Sequence, residues 1–152
     1  MWQVAGGHGF INPELAIADM MRYHEVGLRS WDLADIYGPA EDFIGVFRRR
    51  LSTLKGREEM DTIQALTKWV PQPGRITRSF VKENVESSLR KMNVGSLDLL
   101  QFHWWDYSNP YYIDALRYLF DLRDERLIKD VGLTNFDTET IQTITDSNLK
   151  IV

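Results

Sequence analysis

The sequence predicts an α/β domain with a parallel sheet, assembled from about five strand–helix units and the start of a sixth strand. Short apolar runs alternate with longer amphipathic ones along the whole chain. The residue that closes several short runs is polar, and these residues recur at the length of one strand–helix unit. From Asp32 to Lys68 is 36 residues, from Lys68 to His103 is 35, and from His103 to Thr134 is 31. No linker, low-complexity tract or composition shift interrupts the pattern, so residues 1–152 read as one domain. Buried strands that each feed a helix pair in parallel through right-handed crossovers.

The elements follow in order. "WQVA" (2–5) is a short candidate strand. Asn12-Pro13-Glu14 starts a helix: an Asn N-cap, a Pro at the first position and an acid near the positive helix end. That helix should run to about Val26, with Gly27 as its left-handed cap. Leu28 to Leu33 is the second strand, and Pro39 starts a second helix with Ile44, Phe47, Leu51 and Leu54 on its inner face. "TIQALTK" (62–68) is the third strand. Thr77 caps a third helix carrying Val81, Val85, Leu89 and Met92, and Gly95 follows it. "LDLLQFH" (97–103) is the fourth strand, and Pro110 opens a fourth helix with Ile113, Leu116, Leu119 and Phe120 inward. "KDVGL" (129–133) is the fifth strand, Asp137 caps a fifth helix through Ile141 and Ile144, and "LKIV" (149–152) begins a sixth strand.

Composition narrows the function. The chain has 152 residues, enough to bury a core, and its 43% apolar and 26% charged content is that of a globular protein. A net charge of −4 with no basic block argues against a nucleic-acid partner. The absence of cysteine excludes disulfides and thiolate metal sites. No apolar run approaches the length of a membrane span, and "MWQVAGGHGF" lacks the regions of a signal peptide, so a cytoplasmic protein is expected.

Parallel neighbours present Asp32, Lys68, His103 and the pair Thr134-Asn135 at one end of the sheet. In a (β/α)8 barrel that carboxyl end carries the active site. Tyr37 lies in the loop beyond Asp32 and can reach over the same rim. Singly, each has an ordinary reading: a turn-forming Asp, a packing Tyr, a solvated Lys, a structural His. Their convergence on one rim favours a site.

Those residues carry a resemblance. Asp32-Leu33-Ala34-Asp35-Ile36-Tyr37-Gly38 resembles the Asp-x-Ala-x-x-Tyr-Gly motif of the aldo-keto reductase family. Lys68 in "LTKWV" is similar to the family's strand-three lysine, and His103 in "LDLLQFHWW" to its strand-four histidine. "VGLTNF" (131–136) resembles the segment whose hydroxyl residue and asparagine hold the nicotinamide carboxamide, here Thr134 and Asn135. The resemblance implies a TIM barrel, NADP(H) as cofactor, and an aldehyde or ketone as the small-molecule substrate.

The chemistry is consistent with this. Carbonyl reduction needs a hydride on carbon and a proton on oxygen, where negative charge grows in the transition state. Tyr37 would donate the proton. Its phenol would be made more acidic by the Lys68 ammonium, which Asp32 would hold, and His103 would orient the carbonyl. Trp69, Trp104 and Trp105 follow the polar residues directly; they either wall an apolar substrate pocket or pack under loops. Tyr107, Tyr111 and Tyr112 are expected to cover the loop into the fourth helix.

Other features carry less. "AGGHGF" (5–10) lacks the spacing of a dinucleotide fingerprint and reads as a first loop. A Rossmann-type dehydrogenase would need that loop on the cofactor phosphates. His8 and His24 have no partners at metal spacing, so no metal is expected. Arg48-Arg49-Arg50 reads as a solvated last turn of a helix. A whole (β/α)8 barrel takes eight units and about 250 residues, so the chain covers roughly strands one to five. The glutamine, the stacking aromatic and the phosphate loops of the family's later units would lie beyond Val152. Open strand edges then imply self-association, weak stability and weak NADPH binding. The alternative is a truncated, catalytically silent relative that acts as an interaction partner or has no activity.

Overall fold

A computed structural model of the chain describes residues 1–6 and 9–152. The chain opens with a 3₁₀ turn over Trp2–Ala5, where a strand is predicted. A four-residue run with three apolar side chains does not by itself distinguish a strand from a helical turn. Here Val4 N–H donates to Met1 O (3.1 Å) and Gly6 N–H to Gln3 O (3.3 Å), so the donors are satisfied locally. Gly7 and His8 of the glycine-rich loop lie outside the described residues.

Helix α1 (Pro13–Glu25) begins as expected, with Asn12 Oδ1 accepting from the N–H groups of Glu14 and Leu15. It ends in a Schellman motif: Gly27 N–H donates to His24 O (3.0 Å) and Leu28 N–H to Tyr23 O (3.1 Å), with Gly27 at φ +98°. Strand β1 (Ser30–Asp32) leads to α2 (Ala40–Lys55) and the short α3 (Arg57–Met60). Strand β2 (Gln64–Trp69) precedes α4 (Arg78–Met92), whose N-cap Thr77 accepts from Phe80 N–H. Strand β3 (Leu97–His103), α5 (Tyr111–Asp124), β4 (Ile128–Thr134) and α6 (Thr138–Asp146, capped by Asp137) complete the order.

The four strands form one sheet in the order β1-β2-β3-β4, and every pairing is parallel. Helices α1, α2, α4 and α5 pack in sequence along one face, as in half of a (β/α)8 barrel. Side chains alternate across the strands. Ala65, Thr67 and Trp69 of β2 and Leu100 and Phe102 of β3 are buried toward the helices, whereas Leu66, Lys68, Leu99 and Gln101 lie on the other face and are only half-buried. The helical side of the core is closed by Phe47, Leu51, Val81, Val85, Met92, Leu116 and Leu119.

Several expectations are corrected. The chain has four strands among its described residues rather than five, because the first became a 3₁₀ turn. No strand forms over 149–152, although Val152 N–H donates to Val131 O (3.1 Å) at the free edge of β4. Leu54, in the last turn of α2, is exposed. Ile141 of α6 also lies at the surface, leaving Ile144 as the buried anchor. The left-handed cap after α4 is Asn93 (φ 55°), with Gly95 two residues further on. Arg48 is not solvated. It is buried and donates to Met60 O (3.0 Å), Ile63 O (3.2 Å) and Asn93 O (3.2 Å), satisfying carbonyls where α3 and α4 end.

Candidate active site

Asp32 ends β1, Lys68 is the penultimate residue of β2, and His103 and Thr134 end β3 and β4. Parallel pairing sets Lys68 opposite Gln101 and His103 opposite Thr134, so all lie at the carboxyl end of the sheet. All face away from the helices, as their spacing along the strands requires. Lys68 Nζ is 2.6 Å from Asp32 Oδ1 and donates to Leu33 O at 3.0 Å. The lysine is only 12% exposed, whereas Asp32 remains 60% exposed, so the ion pair sits at the boundary between sheet and solvent.

Tyr37 is brought to the rim by the loop after β1. That loop continues the ladder beyond the strand: Leu33 N–H donates to Leu66 O (2.9 Å) and Asp35 N–H to Lys68 O (3.0 Å). It then turns back on itself through Tyr37 N–H to Ala34 O (3.0 Å) and Ala40 N–H to Tyr37 O (3.2 Å), with Gly38 at φ +54°. The turn leaves Lys68 Nζ 5.2 Å from the centre of the Tyr37 ring.

A recess of about 210 Å³ opens at this rim, lined by Ala34, Ile36, Tyr37, Lys68, Val70, His103, Trp105, Thr134 and Asn135. Six of the nine predicted site residues therefore share one cavity, and a seventh, Asp32, is bonded to one of them. His103 is buried, and burial holds its pKa below the ordinary histidine value, so its imidazole is neutral at neutral pH. The Trp105 ring stands edge-on to it, with centroids 4.2 Å apart. Asn135 takes a left-handed backbone (φ 63°), which folds the chain over the recess, and the Tyr107 hydroxyl donates to its carbonyl. Burial raises the Tyr107 pKa, as does the nearby Asp137, so the phenol stays protonated for that bond.

Trp69 and Trp104 do not line the recess. Trp69 stacks on Phe102 (5.5 Å), and Trp104 donates its indole N–H to Asp106 O (2.8 Å) and Asn109 O (3.1 Å) on the helical side of the sheet. Each is one residue from a rim group, and that single step turns the side chain to the opposite face. Of the loop tyrosines, Tyr112 is buried against Phe136 and Tyr111 is exposed. Among the described residues no group of three or more metal-ligating side chains gathers. His24 is buried with its Nε2 3.0 Å from Glu59 Oε1, and burial lowers its pKa.

Two residues escaped the sequence reading. Gln101 lies between the strands: its Oε1 accepts from Thr134 Oγ1 (2.8 Å) and its Nε2 donates to Asp32 Oδ1 (3.4 Å). The signal was present, because Gln101 stands two residues before His103 on one strand. The other is Asp35, whose pKa is raised to about 6, chiefly by burial, with Glu41 adding to the effect. The backbone bond from Val70 N–H (3.2 Å), and more weakly Ile36 N–H and the Lys91 charge, offset this only in part, and its Oδ1 is buried without a hydrogen-bond partner.

Comparison with known proteins follows the same lines. The model of the aldo/keto reductase family matches residues 1–152. The methylglyoxal reductase DkgA of Salmonella typhimurium is 31% identical over 133 residues, 88% of this chain and 45% of its own length. D-arabinose 1-dehydrogenase of Saccharomyces cerevisiae is 28% identical over 136 residues, 84% of this chain and 38% of its own length. The chain thus spans less than half the length of these relatives. Among solved structures, an aldo/keto reductase from Klebsiella pneumoniae in complex with NADP and acetate superposes with a TM-score of 0.69 at 23% identity, covering 86% of this chain and 42% of that one. The aldose reductase of Schistosoma japonicum gives a TM-score of 0.71 at 23% identity, over 90% of this chain and 50% of that one. The fold is that of a partial TIM barrel.

Proposed function

The chain belongs to the aldo-keto reductase family, and on that premise we propose that it supplies the acid–base half of an NADPH-dependent carbonyl reductase. The substrate is an aldehyde or ketone and the product the alcohol. The observation that carries the reading is the shared recess, where Tyr37, Lys68 and His103 face Thr134 and Asn135. A hydroxyl and an amide at one wall suit the carboxamide of a nicotinamide ring.

When bound, the reduced nicotinamide supplies the hydride. The chain supplies the rest. Tyr37 gives its hydroxyl proton to the carbonyl oxygen as charge develops there. The Lys68 ammonium, 5.2 Å from the phenol ring, stabilises the phenolate left behind. Asp32 and Leu33 O hold that ammonium in place by its two short bonds. The neutral His103 donates an N–H to the carbonyl oxygen and fixes its direction. Trp105 and Ile36 give the recess apolar walls for the substrate's carbon side. No helix among the described residues is long and apolar enough to cross a membrane, and a cytoplasmic setting is part of this reading.

The test is NADPH oxidation with methylglyoxal, the substrate in the name of the DkgA relatives. Tyr37→Phe should lower turnover by about a hundredfold or more with NADPH binding unchanged. Activity that survives the change would remove Tyr37 as the donor. The second reading is a catalytically silent relative. It is distinguished by cofactor binding without turnover in the unsubstituted chain.

A further inference from the structure

We infer that Gln101 is a positioning residue that makes Thr134 a pure hydrogen-bond acceptor toward the recess, so that the site selects a ring substituent bearing an N–H. The inference rests on the nicotinamide reading above and concerns how that ring is told apart from its analogues.

The direction of every bond in the network follows from Asp32. An ionised carboxylate only accepts. Its Oδ1 already receives Lys68 Nζ at 2.6 Å, and the side chain nearest on its other flank is Gln101, with Nε2 at 3.4 Å. Turning the amide over would set Gln101 Oε1 against the carboxylate, acceptor against acceptor, with an unfavourable electrostatic cost. The NH₂ end therefore points to Asp32, and the Oε1 end points to Thr134, which is 2.8 Å away. Oε1 can only accept, so Thr134 must spend its single hydroxyl proton on Gln101. What remains of Thr134 Oγ1 on the side of the recess is a pair of lone pairs. The β3–β4 register holds this arrangement, because Gln101 pairs with Gly132 and His103 with Thr134, so the two side chains lie diagonally on one face. Gly132 has no side chain there, and a Cβ would meet Leu99 Cδ1 at 3.4 Å and Gln101 Cγ at 3.9 Å. Gln101 thus links the lysine's carboxylate on β1 to the cofactor wall on β4 without touching substrate or cofactor.

A carboxamide offers Thr134 an N–H, whereas an acetyl group in its place offers only another acceptor. Binding of NADP⁺ and of its 3-acetylpyridine analogue to the chain, measured by calorimetry, tests the assignment. The unsubstituted chain should prefer NADP⁺ by about tenfold, one hydrogen bond's worth. Gln101→Met frees the Thr134 proton to point into the recess, and the preference should fall to near unity. Side-chain amide resonances of Gln101, followed by NMR, should shift in Asp32→Asn, where the carboxylate acceptor is lost. A preference unchanged in Gln101→Met, or amide resonances indifferent to Asp32, would overturn the inference while leaving the reductase reading in place. Failure of the unsubstituted chain to bind either dinucleotide would overturn the nicotinamide reading, and this assignment with it.

Discussion

Asp35 shows how a single residue next to the site loads the fold. Its pKa of about 6 lies above the ordinary 3.8 because burial disfavours the carboxylate. The folded state therefore binds more protons than the unfolded chain between roughly pH 4 and pH 6, and stability must fall as pH rises through that window. The loss amounts to about 1–3 kcal/mol, fully present above the folded pKa. Asp35→Asn keeps an acceptor for Val70 N–H and removes the charge. It should raise the urea midpoint at pH 7.5 and flatten the stability profile between pH 4 and 6; a flat profile in the unsubstituted chain would contradict this. Lys68→Met acts differently. Asp32 is mostly exposed, so water takes over its solvation and the fold should persist, while carbonyl reduction drops by about a hundredfold or more. Circular dichroism alongside turnover separates the two effects.

Among the elements, α2 and α4 pack tightly at Gly45. A Cβ on Gly45 would lie 1.9 Å from Lys91 O, a backbone atom that cannot yield without moving α4. Gly45→Ala should cost at least about 1–3 kcal/mol despite the better helix propensity of alanine, measured as a lower thermal midpoint. The approach also leaves Lys91 Nζ 3.4 Å from the buried Glu41, which in turn accepts from Thr67 Oγ1 of β2 (2.8 Å). At the start of α4, Thr77→Ala removes a side-chain cap and should cost about 1 kcal/mol. These caps were legible because a cap depends on residues within three or four positions. The Gly45 contact was not, because nothing near Gly45 in sequence marks which helix lies against it.

At the scale of the whole molecule, the sheet has two free edges. Among the described residues, the backbone bonds beyond these edges are those of Met1, whose amino group donates to Asp32 O (3.2 Å) on β1, and of Val152, whose N–H donates to Val131 O (3.1 Å) on β4. Unpaired strand edges recruit other chains, and Phe10, Leu15, Val26 and Val152 add exposed apolar surface. The isolated chain should therefore self-associate with rising concentration, visible by light scattering. A monodisperse monomer would contradict this.

Much of this protein was determined by its sequence alone. The order of units, the caps at Asn12, Thr77 and Asp137, and the polar residue at or next to the end of each strand all follow from periods and pairs within one turn or one strand. The rim constellation followed too, since equal spacing along parallel units delivers side chains to one edge. Tertiary structure decided the remainder. It turned residues 2–5 into a 3₁₀ turn and buried Arg48 among three carbonyl groups. It also joined Gln101 to both Asp32 and Thr134 across 69 and 33 residues of chain. Such partners are chosen by strand register and helix packing, and no local propensity encodes a contact whose other half lies several elements away.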